Sequence, residues 1–118
     1  MKLPTVTQTF NDGVLDIYRV TNIAEAGNMP KDGLKAKIKN IRYSERTVGM
    51  GRYWAAMQEH VQITQMVRIQ RIEAINVNDV AIIKGKQYKI VQIQYVQDVS
   101  PPCIDLSLER LETEYEIK

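Results

Sequence analysis

The sequence predicts a mainly β protein, a small β-barrel or sandwich of about six or seven strands with one short α-helix around residues 51–60. Three observations carry that expectation. Apolar residues recur with period two along most of the chain, turn signals separate these stretches at short intervals, and one run of helix formers interrupts them. Many short strands spaced this way close into a barrel or pack as a sandwich.

The elements follow in order. Asn11-Asp12-Gly13 is a turn, and residues 14–20 form a first strand with Leu15 and Ile17 on one face and Asp16 and Tyr18 on the other. Residues 22–33 carry Gly27, Pro30 and Gly33 and read as a mobile loop. From Leu34 to Lys39 the alternation is strict, with Leu34, Ala36 and Ile38 facing one way and Lys35, Lys37 and Lys39 the other. Past Asn40 the apolar phase shifts to Ile41 and Tyr43, which predicts a bulge or bend in a long strand. Gly49-Met50-Gly51 leads into the helix, whose Trp54 and Met57 share a face suited to plugging a barrel. Alternation resumes over 61–71, with Val61, Ile63, Val67 and Ile69 on one face. Asn76-Val77-Asn78-Asp79 is a turn, Val80-Ala81-Ile82-Ile83 a short buried strand, and Lys84-Gly85-Lys86 links it to a strand over 88–96. After Ser100-Pro101-Pro102, residues 104–109 alternate in a last strand. One domain spans 1–118, with 1–10 and 112–118 loosely ordered at its ends.

Composition narrows the function classes. Apolar residues at 44% and charged residues at 25% are ordinary globular values, which argues against wholesale disorder. The single cysteine, Cys103, cannot form an intrachain disulfide and fits a reducing cytoplasm. Residues 1–5 lack the apolar stretch of a signal peptide, and no run approaches the roughly 20 apolar residues of a membrane span, so the chain is expected to be soluble, intracellular and without a membrane partner.

No active site assembles from the residue types. His60 is the lone histidine and Cys103 lacks a CxxC partner, so neither a metal nor a cofactor is expected, and Cys103 reads as a small packing residue. Gly49-x-Gly51 lacks the rest of a phosphate-binding loop. Glu112 and Glu114 lie in a polar tail and read as solvated. The chain is therefore expected not to be an enzyme.

Charge is more informative. The net charge of +2 hides seven basic residues between positions 31 and 53, among them Lys35, Lys37, Lys39, Arg42 and Arg46, and six acids from Asp98 onward. A lysine row on one strand face can track phosphates without reading sequence, while its bland counterpart is a solvated face or a lysine-protected edge. Opposed patches can also join neighbouring copies. Gln87, Gln92, Gln94 and Gln97 give one strand a face compatible with both water and protein.

Several segments, taken together, resemble a known family. They are Asn11-Asp12-Gly13 with Ile17-Tyr18; Tyr43-x-Glu45-Arg46-Thr47-Val48-Gly49 with Arg52, Tyr53 and Ala55; Asp79 to Ile83; Gly85 to Ile90; Ile93-Gln94-Tyr95; Pro101-Pro102; and Asp105 to Leu111. In order and spacing they are similar to the head–tail adaptor, or head-closure (stopper), proteins of siphophages and prophages of Gram-positive bacteria. The resemblance implies a small β-barrel with one short helix, no catalytic residues and no cofactor. It further implies a homo-oligomeric ring under the portal and connector that closes the DNA channel after packaging and presents the tail attachment surface. The partners would be portal, connector and tail-completion proteins, with possible non-specific contact to packaged DNA. The place would be the virion neck, after assembly in the bacterial host cytoplasm.

On that basis Lys35, Lys37, Lys39, Arg42 and Arg46 are candidate contacts to channel DNA, or to a neighbour's Glu109 and Glu112. Gly27 and Gly33, or Gly49 and Gly51, are candidate hinges of a gating loop. The alternatives are another neck or tail-terminator ring subunit, or a stand-alone nucleic-acid-binding barrel.

Overall fold

A computed structural model describes residues 6–47 and 63–117. Its strands are β1 (Val6–Thr7), β2 (Gly13–Asn22), β3 (Asp32–Arg46), β4 (Gln65–Gln70), β5 (Val80–Ile83), β6 (Lys86–Val96), β7 (Val99–Ser100), β8 (Cys103–Arg110) and β9 (Glu116–Ile117). Among the described residues every regular element is a strand. The helix expected around 51–60, with Trp54 and Met57, lies outside them, as do Gly49, Gly51 and Val61.

The sheet runs β2-β5-β6-β8-β4-β3, and β2 also pairs with β3. Six antiparallel pairings thus close on themselves into a small barrel. Period-two patterning directs Leu15, Ile17, Val67, Ile69, Ile90, Ile104, Leu106 and Leu108 into its core, each at most 1% exposed. The β5–β6 turn has two residues, Lys84 and Gly85, at φ of 52° and 77°. Positive φ at both positions matches strand twist in a two-residue hairpin, which favours glycine at the second.

The long strand β3 corrects the sequence reading in one respect. Its register on β2 passes from Leu15↔Ile41 to Ile17↔Ile38, and then to Tyr18↔Ala36. Each step leaves one extra residue on β3. The first irregularity is the predicted bulge near Asn40, whose φ is 62° and whose N–H donates to Asp16 Oδ1 at 2.8 Å. The second, at Lys37, was not foreseen and breaks the strict alternation. Leu34 therefore joins Tyr18 and Val80 in a separate outer cluster, Ile38 packs on the barrel core, and Ala36 is exposed.

Beyond Tyr18, β2 leaves β5 but keeps pairing with β3 to Asn22↔Asp32, so the two strands continue as a hairpin arm. Its connection shrinks from the expected 22–33 to 23–31. Asn22 Oδ1 accepts the Ala24 and Lys31 N–H groups at 3.0 and 3.1 Å, and Ile23 N–H donates to the Lys31 carbonyl.

The C-terminal segment straps the base of this arm. Leu111 and Tyr115 pack on the outer cluster, and β9 adds in parallel to Gly33 and Leu34 of β3. Gln87, 4% exposed, fastens it: its side-chain amide donates to the Tyr115 carbonyl and accepts the Tyr115 N–H, both at 2.8 Å.

Candidate functional site

The basic residues of β3 and the strand edges around the hairpin arm are the features with interaction chemistry. The bulge at Lys37 disperses the expected lysine row. Lys37 reaches Asp79 Oδ2 at 2.7 Å in a pair whose side chains are 20% and 10% exposed. Asp79 also accepts the Asn76 N–H at 2.9 Å, so Lys37 ties the arm to the turn that starts β5. Lys39 lies 5.8 Å from the centre of the Tyr18 ring, within cation–π range. Lys35 is exposed and directly opposite Arg19. Like charges facing each other across two strands repel, and an anion bound at this exposed pair would relieve that repulsion. Arg42, opposite Val14, and Arg46, opposite Met66, are exposed farther along β3.

The acidic tail meets the basic stretch within one copy. Glu116 pairs with Lys31 and aligns with Gly33, and Glu114 accepts the Gln87 N–H at 3.1 Å. Part of the charge asymmetry seen in sequence is thus neutralised intramolecularly. Gln87, grouped in the sequence with exposed glutamines, is a buried fastener for that tail.

The glycine positions separate in kind. Gly27 is in the turn at the arm tip, at φ of 87°, with open space around it. Gly33 is inside β3, where an added Cβ would stand 2.6 Å from Ile23 Cγ1 and 2.9 Å from the Glu116 carbonyl. Close packing against the strap is what requires glycine there.

Sequence reasoning missed a second ion pair, Arg68 with Asp105. These residues face each other across β4 and β8, and Arg68 Nε and Nη2 donate to the two carboxylate oxygens at 2.8 and 3.2 Å. Arg68 Nη1 donates to Gln8 Oε1 at 3.1 Å, next to β1, which pairs with β7. The hydrogen bond to Asp105 raises the guanidinium pKa further. Thirty-seven residues separate the two in sequence, so only the register reveals the pair.

Cys103 is buried at 1% exposure, its thiol donating to the Pro101 carbonyl at 3.1 Å, and burial pushes its pKa up. A protonated, inaccessible thiol is a poor nucleophile. Among the described residues no group of three or more His, Cys, Asp or Glu side chains could hold a metal ion, and no helix is long and apolar enough to cross a membrane.

Among the described residues one edge of β3 is open along part of its length. On β3 the stretch between its β9 and β4 partners carries Lys35, Lys37, Lys39 and Arg42 and both bulges. On β6, residues 91–96 pair with β8 on one side and extend past the end of β5 on the other. Near Ile93 and Tyr95 of β6 is a depression of about 250 Å³ lined by Ile72, Ile75, Val77 and Ile104 together with the polar Glu73 and Asn76. Comparison with protein-family models and with curated proteins finds no match for this chain.

Proposed function

We propose that this chain is a structural, non-enzymatic ring subunit of the neck of a tailed bacteriophage, assembled in the host cytoplasm. In this role it joins the portal–connector complex after packaging, closes the DNA channel, and offers the surface to which the tail-completion proteins attach. The ordered resemblance from Asn11 to Leu111 supports the reading. The observation that carries it is the architecture: a closed barrel, too small to enclose a channel alone, with a hairpin arm reaching past it. A subunit of that shape closes a channel when copies surround an axis.

Ring symmetry repeats every subunit charge around the axis, so one like-charged pair becomes a cationic belt. In this proposal Arg19 and Lys35, with the exposed Lys39, supply the DNA contact, because Lys37 is committed to Asp79. Native mass spectrometry tests the role, with the protein alone and then mixed with the portal–connector complex encoded in the same genome. Addition of a full ring to that complex is the expected result. A protein that ignores the connector and caps isolated tails is instead a tail-terminator subunit.

The Arg19–Lys35 pair also favours a second reading, a nucleic-acid-binding barrel that acts alone. That reading requires salt-dependent DNA binding by the free monomer, whereas ring assembly does not.

A further inference from the structure

The tail after β8 lies in a groove built to hold an extended chain. Leu111 N–H donates to the Gln87 carbonyl at 3.1 Å, and after it Glu112, Thr113 and Glu114 are exposed. From Glu114 to Ile117 each residue then meets a group of its own on the receiving side. The Glu114 carboxylate accepts the Gln87 N–H, and the Tyr115 main chain exchanges two hydrogen bonds with the Gln87 side-chain amide. Glu116 pairs with Lys31, while Glu116 and Ile117 align in parallel with Gly33 and Leu34. Gln87 is 4% exposed, so its amide is a fixed part of the groove. Gly33 leaves the room that a passing main chain needs, since an added Cβ would stand 2.9 Å from the Glu116 carbonyl. A sheet edge that reads a peptide through its main chain and flanking charges accepts that peptide from any chain that presents it.

The hold within one copy is light. β9 has only two residues, both exposed, and the Lys31 and Glu116 side chains are 61% and 59% exposed. An ion pair that open is worth at most about 1 kcal/mol, and an element with so little burial opens locally well before the barrel unfolds. The tail is acidic and the base of the arm basic, so the two attract between copies as they do within one. Exchanging an identical element between copies sacrifices none of these contacts.

We infer that the occupant of this groove in the assembled ring is the C-terminal segment of a second copy: residues 111–117 of one subunit leave their own groove and lie against Gln87, Lys31 and Gly33 of the next. Seven extended residues at about 3.4 Å each span roughly 24 Å, which lets the segment cross to an adjoining barrel. The exchange is head-to-tail, so each subunit gives one tail and takes one, and a closing rotation completes the ring. The incoming tail clasps the base of the arm that carries Arg19 and Lys35. The exchange rests on the ring reading above and names a contact that ties the ring together.

The Lys31–Glu116 contact supplies the test without a substitution. Heavy-nitrogen-labelled and unlabelled proteins are mixed as free subunits in equal amounts and added to the portal–connector complex. A water-soluble carbodiimide then joins each carboxylate to an amine that touches it, and mass spectrometry of the digest reads whether a Lys31–Glu116 cross-link unites like or unlike isotopes. In the ring about half of these cross-links should be mixed, the share that random neighbours give when every tail is exchanged. Tyr115→Pro, which removes the N–H that Gln87 accepts, is checked for wild-type circular dichroism and should raise the protein concentration needed for half-assembly by at least about tenfold. A ring seen by native mass spectrometry whose cross-links unite only like isotopes, or that tolerates Tyr115→Pro, overturns the exchange and leaves the ring standing. Cross-links from Lys31 to the connector overturn it too, since the occupant is then another protein. If wild-type protein forms no ring, the ring reading and the exchange fall together.

Discussion

Arg68→Met isolates the buried ion pair between β4 and β8. The side chains of Arg68 and Asp105 are 11% and 9% exposed and joined by two hydrogen bonds. Removing the arginine strands a carboxylate in a site with little water, which costs about 3–5 kcal/mol. Against the roughly 5–15 kcal/mol that holds a domain of this size, this is a large share. At about 4 °C per kcal/mol it lowers Tm by about 12–20 °C. Pairing Arg68→Met with Asp105→Val removes both charges and should recover most of the loss, because the pair itself adds little beyond its desolvation cost. Urea unfolding followed by far-ultraviolet circular dichroism gives all four corners of the cycle. If Arg68→Met costs less than about 1 kcal/mol, or if the double variant shows the plain sum of the singles, the pair is solvated and the argument from burial is wrong.

Other outcomes follow from single sites. Gly33→Ala should cost about 1–3 kcal/mol in urea unfolding, because the new methyl meets Ile23 and the Glu116 carbonyl; Gly27→Ala, in open space at positive φ, should cost about 1 kcal/mol. Equal costs would restore Gly33 as a hinge candidate. Gln87→Ala removes both amide bonds to Tyr115 and should speed carboxypeptidase trimming of the tail while the barrel stays folded; an unchanged rate would mean that packing by Leu111 and Tyr115 suffices. Burial raises the Cys103 thiol above its ordinary value of 9.0. Its contribution is therefore complete below that pH and is lost as pH rises through the folded-state value. Stability should fall in that alkaline range less steeply in Cys103→Ala than in wild type, and parallel pH profiles would exclude the thiol as a source. Tyr43, raised by burial first and then by Glu45, Asp12 and Tyr88, adds a decline of the same sign in both proteins.

Local pattern determined most of the barrel. Leu15 and Ile17, Val67 and Ile69, and Ile104, Leu106 and Leu108 alternate with polar neighbours, and each set faces the core because a strand's side chains alternate strictly between two faces. Lys84-Gly85 and the phase shift at Asn40 announced a turn and a bulge, since those backbone conformations demand particular residues. Pairing between distant segments was decided only by the tertiary structure. The second bulge at Lys37 became visible once Ala36 was set against Tyr18, and it broke up a lysine row that alternation alone had placed on one face. Arg68 with Asp105, Lys37 with Asp79, Arg19 opposite Lys35, and Gln87 with Tyr115 all join residues that no periodicity relates. The reason is physical: alternation encodes which face of its own strand a residue occupies, while barrel closure and register determine which residue of another strand it meets.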